Sequence, residues 1–357
     1  MTAKPTYIIA EAGVNHNGNK QLAFDLIDVA VSSGANAVKF QTFNAEKLAA
    51  ANLNKAAYQQ NNTHESGSQL AMLKQLELPQ DWHDELKQYC LEQGIDFLST
   101  AFDLDSLAFL SEMDLPFYKI PSGEVINAPL LWHYAQLKKP LILSTGMCSL
   151  AEVEQALAVI AYGLTYQQYP DSSAEIMQCY ASAEGQQLLK RYVSLLHCTS
   201  QYPTPMSDVN LLAMQTLANA FSLPVGYSDH TIDNTVAIAA VAMGASIVEK
   251  HFTLDKSMAG PDHLASLEPQ ELLSYVQSIR AIEVAMGNGI KQPQACEWDT
   301  RLAARQSLIV TVDKKQGERW QFTDFSTQRV GSGVSPNSIW DLVGTIAEKD
   351  YLTGCPL

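Results

Sequence analysis

The chain has 357 residues, 46% of them hydrophobic and 17% charged, with a formal net charge of −15. That composition describes a globular protein with ample core, and the acidic balance argues against a nucleic-acid or anionic-membrane partner. No apolar run approaches the roughly 20 residues that span a bilayer, the N-terminal apolar run is too short for a signal peptide, and the six cysteines form no C-x-x-C pair. The expectation is a cytoplasmic protein with reduced core cysteines and no membrane association.

Short β-rich runs recur along the chain at 7–11, 37–43, 96–102, 117–123, 141–147, 193–199, 224–230 and 246–252. Amphipathic helical stretches separate them at 19–33, 80–93, 129–138, 150–162, 208–220, 233–243 and 268–287. Strands alternating with helices imply a parallel sheet. Eight such units fit an α/β fold of the (β/α)8 TIM-barrel type over residues 1–287 better than an open doubly wound sheet. The first strand leads into AGVNHNGN, which is not the glycine fingerprint of a dinucleotide fold. Two segments interrupt the rhythm. The polar stretch 44–79 follows the second strand at its C-terminal end, the place for a lid or substrate loop. The stretch 163–192 opens on the opposite face and reads as structural or oligomeric. Residues 288–300 read as a linker, and 301–357 as a small domain of short strands and glycine turns that must dock on something.

Nearly every run ends in chemistry. The ends carry Glu11, Lys39 with Gln41, Ser99 and Thr100, Lys119 and Ser122, Ser144 with Thr145, Thr199 with Ser200, Ser228 with His230, and Glu249 with His251. A barrel enzyme builds its active site from strand C-termini. Neighbouring strands lie about 4.8 Å apart, so His230 and His251 can hold one metal ion, and side chains two apart share a face. Nitrogen ligands with oxygen-rich neighbours suit Mn, Mg, Co or Zn. Lys39 with Thr100, Ser122, Ser144 and Ser228 forms a candidate anion site. A strand-end lysine also leaves open a Schiff-base aldolase, and the last domain leaves open a carbohydrate- or ice-binding module on an inert barrel. His197 reads as a core residue, and His16 receives no role.

The segments IIAEAGVNHNG, AVKFQTF, FLSTAFD, YKIPSGE, ILSTGM, LHCTSQYPTP, VGYSDHT, IVEKHFTLD, GPDH and RVGSGVSP follow one another in order. The series resembles the bacterial sialic acid (nonulosonate) synthase family over nearly the whole chain. The resemblance implies a metal-dependent condensation of phosphoenolpyruvate with an N-acylated mannosamine. N-acetylmannosamine, giving N-acetylneuraminate, is the first expectation. A 2,4-diacetamido-2,4,6-trideoxymannose, giving N,N'-diacetyllegionaminate, is the alternative. It also implies an antifreeze-like (SAF) β-clip domain after the barrel and a domain-swapped homodimer. By motif, Lys39, Thr100, Ser122, Ser144 and Ser228 resemble the phosphoenolpyruvate ligands. His230 and His251 resemble the ligands of a divalent metal, Mn2+ first and Mg2+ or Co2+ otherwise. Glu11, Gln41, Lys119, Tyr202, Glu249 and Asp262 resemble sugar or catalytic contacts, with Glu249 or Glu11 holding a water. Arg329 resembles an arginine lent to the partner's site. The chain departs from the family pattern at Ala101, Val330 and Ser200.

Overall fold

A computed structural model describes residues 5–56, 59, 60, 62 and 67–357. Eight parallel strands alternate with helices: β1 (Tyr7–Gly13), β2 (Ala37–Thr42), β3 (Asp96–Ala101), β4 (Tyr118–Ile120), β5 (Leu141–Ser144), β6 (Val193–His197), β7 (Val225–Asp229) and β8 (Ile247–His251). The ladder runs β3-β2-β1-β8-β7-β6-β5-β4, and β4 packs beside β3, so the sheet curls into a near-closed (β/α)8 barrel. Each expected strand is present within a few residues of its place. Most of the expected helices match too, although the stretch 208–220 becomes a short turn and a helix over Ala213–Phe221. Local chemistry fixes the helix ends. Asn19 caps the helix Lys20–Ser33 through the backbone N–H groups of Gln21 and Leu22, and Gly34 closes it in the left-handed region at φ 80°.

Strand alternation sorts side chains into two cores. Ile8, Val38, Phe40, Phe97, Tyr118, Leu143, Leu195, Tyr227 and Val248 face outward into the layer between sheet and helices. Ile9, Ala37, Leu98, Ile142, Leu196 and Ile247 face inward and plug the barrel. Burying an aliphatic side chain of this size stabilises by about 1.5–3 kcal/mol. Gly226 is required in this plug, because a Cβ there would sit 2.2 Å from the Ile247 carbonyl oxygen and 2.7 Å from Leu196 Cδ2. Above the plug the inward positions turn polar.

The polar stretch after β2 is expected to form a lid. Its described part holds helices Ala45–Leu48 and Gln69–Leu76, and residues 57, 58, 61 and 63–66 of the stretch lie outside the described residues. Val14, Phe43, Ala45, Met72 and Leu76 give it a small core of its own. The stretch 163–192 extends one helix to Thr165 and adds helices Ser173–Tyr180 and Ala183–Tyr192, which pack on Leu150–Thr165. Trp132, Tyr162 and Cys179 cluster there, and the Tyr169 ring lies 4.4 Å from that of Trp132.

The chain divides into two compact units, one up to Asn288 and one over Gly289–Leu357. The stretch read as a linker is therefore partly structured: a helix Trp298–Ala304 runs across its expected end. In the second unit β9 (Ser307–Val310) and β10 (Phe325–Gln328) pair antiparallel around Leu308, Val310, Trp320, Phe325 and Ala347. All six cysteines are free, but Cys296 and Cys355 are exposed and so are not core residues as expected. No helix among the described residues is long and apolar enough to cross a membrane.

Candidate active site

The polar ends of the strands meet in one cavity of about 590 Å³ at the C-terminal mouth of the barrel. Register explains the meeting. Glu11 is level with Lys39 on β2 and with His251 on β8, Gln41 is level with Thr100, and Ser228 is level with Glu249. Of the residues expected in the site, Glu11, Lys39, Gln41, Thr100, Lys119, Ser122, Ser144, Tyr202, Ser228, His230, Glu249, His251 and Asp262 all line this cavity. Arg329 does not belong to this unit; it is exposed, just past β10 of the second one.

Two buried lysines and two buried carboxylates form the floor. Lys39 Nζ is 2.6 Å from Glu11 Oε2 and 3.5 Å from Glu249 Oε2, and donates to Thr100 Oγ1 at 3.1 Å. Lys119 Nζ is 3.3 Å from Glu249 Oε1, which also accepts from the Ser228 hydroxyl at 2.8 Å. Gln41 donates to Glu11 Oε1 at 3.1 Å. Burial opposes the Glu249 carboxylate, but Lys119, Lys39 and the Ser228 hydroxyl together outweigh it and lower its pKa. Burial dominates at Glu11, reinforced by the charge of Glu249 against the pull of Lys39, and its pKa rises. Burial also opposes the Lys39 ammonium, yet the two carboxylates overcome it and raise its pKa. An ammonium held this way is unsuited to Schiff-base formation, which needs a free amine.

The histidines form the second pole. Their ring centroids are 5.7 Å apart, and the Tyr202 ring lies 4.2 Å from His230 and edge-on to His251 at 5.6 Å. His230 Nδ1 donates to the Thr199 carbonyl at 2.7 Å, which leaves Nε2 as the ring's acceptor, 3.4 Å from the Ser228 hydroxyl. His251 Nδ1 is buried and has no hydrogen-bond partner. Burial lowers the pKa of His230 to about 4, and that of His251 falls well below the ordinary value through burial and its neighbours His230 and Lys39. Two neutral imidazoles side by side in the cavity wall fit a divalent cation. Among the described residues no third His, Cys, Asp or Glu completes such a group, so water and substrate would fill the other positions. Asp262, partly open to the cavity, has its pKa raised to about 7 by desolvation and by Glu11.

Alternation also separates the residues that face the cavity from their neighbours. Ser99 turns outward to Thr42, whose hydroxyl also meets His83 Nε2. Thr145 caps the Leu196 carbonyl at 2.9 Å. Ser144 Oγ is buried without a partner, as an anion ligand in waiting would be. Ser122 Oγ accepts the Gly146 N–H at 2.9 Å. His16 is buried outside the cavity and accepts from Gly18 N–H, while His197 donates to the Val209 carbonyl. Three features escape a reading by residue type: the Thr199 carbonyl that orients His230, Cys198 in the cavity wall, and an apolar side made by Phe43, Leu48, Met72, Leu73, Leu76 and Phe102.

Comparison with known proteins gives the family. The sequence model of the NeuB family matches residues 26–291. An N,N'-diacetyllegionaminic acid synthase of Legionella pneumophila is 46% identical, over 98% of this chain and 93% of its own length. The enzyme of the same name from Campylobacter jejuni is also 46% identical, over 98% and 97%. The solved structure of an N-acetylneuraminic acid (sialic acid) synthetase from Leptospira borgpetersenii, in complex with citrate, superposes with a TM-score of 0.68 at 33% identity, covering 83% of this chain and 90% of the other. With its barrel and its family match in agreement, this chain belongs to the NeuB family.

Proposed function

We propose that the protein condenses phosphoenolpyruvate with the open-chain aldehyde of 2,4-diacetamido-2,4,6-trideoxymannose and water, giving N,N'-diacetyllegionaminate and phosphate. The observation that carries this reading is 46% identity to two synthases of that name over 98% of the chain, against 33% to a sialic acid synthetase. It puts the alternative acceptor ahead of N-acetylmannosamine, the first expectation from the sequence.

In this reading Lys39 and Lys119 hold the phosphate and carboxylate of phosphoenolpyruvate, and Thr100, Ser122, Ser144 and Ser228 add hydroxyl contacts. Before substrate arrives, Glu11 and Glu249 pair with the same two lysines and hold their ammonium groups in position in the cavity floor. His230 and His251 would hold a divalent cation, Mn2+ first and Mg2+ or Co2+ otherwise, which would supply Lewis-acid polarisation to the aldehyde. Tyr202, Gln41 and Asp262 position the acceptor. The methylene carbon of phosphoenolpyruvate bonds to the aldehyde carbon, water adds to the enol carbon, and the C–O bond breaks so that phosphate leaves with the bridging oxygen. Glu11 and Glu249 hold the water and relay one of its protons to the aldehyde oxygen, which becomes the new hydroxyl, while the other proton leaves with the phosphate. The second unit acts as an antifreeze-like domain that lends Arg329 to the barrel of a partner in a domain-swapped homodimer.

The test is phosphate release from phosphoenolpyruvate with Mn2+, offering the diacetamido sugar and N-acetylmannosamine in parallel, with an EDTA control. EDTA-sensitive release with the diacetamido sugar supports the proposal. Release with N-acetylmannosamine alone returns the protein to sialic acid synthesis, and release with neither refutes the reaction.

A further inference from the structure

A pair of buried charges lies on the outer face of the barrel, directly behind the two histidines. Asp229 and Lys250 are register partners on β7 and β8. Both side chains are 0% exposed, with Lys250 Nζ 3.5 Å from Asp229 Oδ2. Alternation turns them away from the cavity while Ser228, His230, Glu249 and His251 point into it. Their remaining bonds run to Thr231, next to His230, and to Tyr275. Asp229 Oδ1 accepts from the Thr231 N–H at 2.9 Å and the Thr231 hydroxyl at 2.7 Å. Lys250 Nζ donates to the Thr231 carbonyl. The Tyr275 hydroxyl donates to Asp229 Oδ2 at 3.1 Å, and its ring lies 5.8 Å from Lys250 Nζ. The residues on either side of His230 are thus both tied to the residue that precedes His251.

Stability does not account for this arrangement. Desolvating two charges offsets most of their attraction, and apolar replacements for such pairs are often neutral or better. We infer that the Asp229–Lys250 pair is a positioning device that fixes the separation and orientation of His230 and His251, and thereby sets the affinity for the divalent cation. The inference rests on the reading of those histidines as cation ligands.

The double variant Asp229→Asn/Lys250→Met removes the pair without leaving a lone buried charge, and the asparagine oxygen still accepts from Thr231. Mn2+ affinity is measured by calorimetry on the full chain, with phosphoenolpyruvate affinity and thermal unfolding measured on the metal-free protein. The expected result is Mn2+ binding weakened by ~10- to 100-fold, the range for partners that orient metal ligands, with phosphoenolpyruvate affinity and unfolding temperature little changed. Unchanged Mn2+ affinity overturns the inference. So does parallel loss of Mn2+ affinity, phosphoenolpyruvate affinity and thermal stability, which marks a general structural role. Should the double variant not fold, Tyr275→Phe removes one hydrogen bond to Asp229 and no charge. Weaker Mn2+ binding there supports the inference, and unchanged binding overturns it. A wild-type protein that fails to bind Mn2+ overturns the metal reading and this inference together, whereas wild-type binding that the variants retain overturns this inference alone.

Discussion

Replacing Lys39 by methionine tests the floor of the cavity most directly. The ammonium is 2.6 Å from Glu11 and 3.5 Å from Glu249, all three groups being at most 5% exposed. At an effective dielectric constant of about 20 these separations correspond to attractions of about 6 and about 5 kcal/mol. The net change in stability is smaller, because the lysine no longer has to be desolvated and Glu11 can take up a proton. Breaking a buried pair from one side costs about 3–5 kcal/mol. The pH dependence has a definite sign. The Glu11 pKa is already raised by burial, and loss of Lys39 raises it further. The folded state then holds a proton that the unfolded chain releases, so the destabilisation is smaller at mildly acidic pH and grows as pH rises through the folded-state pKa. Catalysis suffers separately: loss of a preorganised cation costs about 2–4 kcal/mol of transition-state stabilisation, or ~30- to 1,000-fold in kcat/KM. The KM for phosphoenolpyruvate should carry much of that loss. Urea unfolding of metal-free protein at pH 6 and pH 8.5, with phosphate release under saturating acceptor, reads both effects. A Lys39→Met enzyme with wild-type KM for phosphoenolpyruvate and pH-independent destabilisation would refute the assignment of Lys39 to both carboxylates and substrate.

Gly226→Ala places a methyl group against an immobile carbonyl in the barrel plug; overpacking of this kind costs about 1–3 kcal/mol or more, and a variant that melts with the wild type contradicts the packing described. His16 has its pKa lowered to about 4 by burial, so the unfolded chain takes a proton near pH 6.5 that the folded chain refuses, and stability is lost as pH falls from 6.5 toward 4. That part of the acid sensitivity, at most about 3 kcal/mol, should vanish in His16→Gln, and an identical pH slope of unfolding free energy in both proteins would show otherwise. Finally, Lys39→Met and Arg329→Ala should each be nearly inactive alone. Refolded together they should regain activity if Arg329 serves the partner's barrel, since one site of the mixed dimer then carries both groups; no recovery would place the arginine in its own chain's site, and an active Arg329→Ala variant would place it outside catalysis.

Much of the site is legible in the residues themselves. Period-two alternation in strands buried on both faces tells which positions look inward, so Glu11, Lys39, Glu249 and His251 can be grouped before any coordinates are seen. The same rule separates Thr100 from Ser99 and Ser144 from Thr145, where residue type alone does not. It also contains a signal for Asp229 and Lys250: charged residues alternating with site residues in a wholly buried strand must find partners on the other face. Their identity as each other's partner depends on the register of β7 against β8, which no local pattern specifies.

Sequence by itself determined the eight-fold alternation of strand and helix, the concentration of reactive side chains at strand ends and the family. These are properties of periodicity and residue type, which act over a few positions. The tertiary structure decided which lysine faces which carboxylate, that the Thr199 carbonyl holds His230 in the tautomer that leaves Nε2 as acceptor, and that an apolar wall from the segment after β2 closes one side of the cavity. It also divided the chain at Asn288, inside what reads as linker. These outcomes depend on separations of a few ångströms between residues far apart in the chain, and only the curling of the whole sheet sets them.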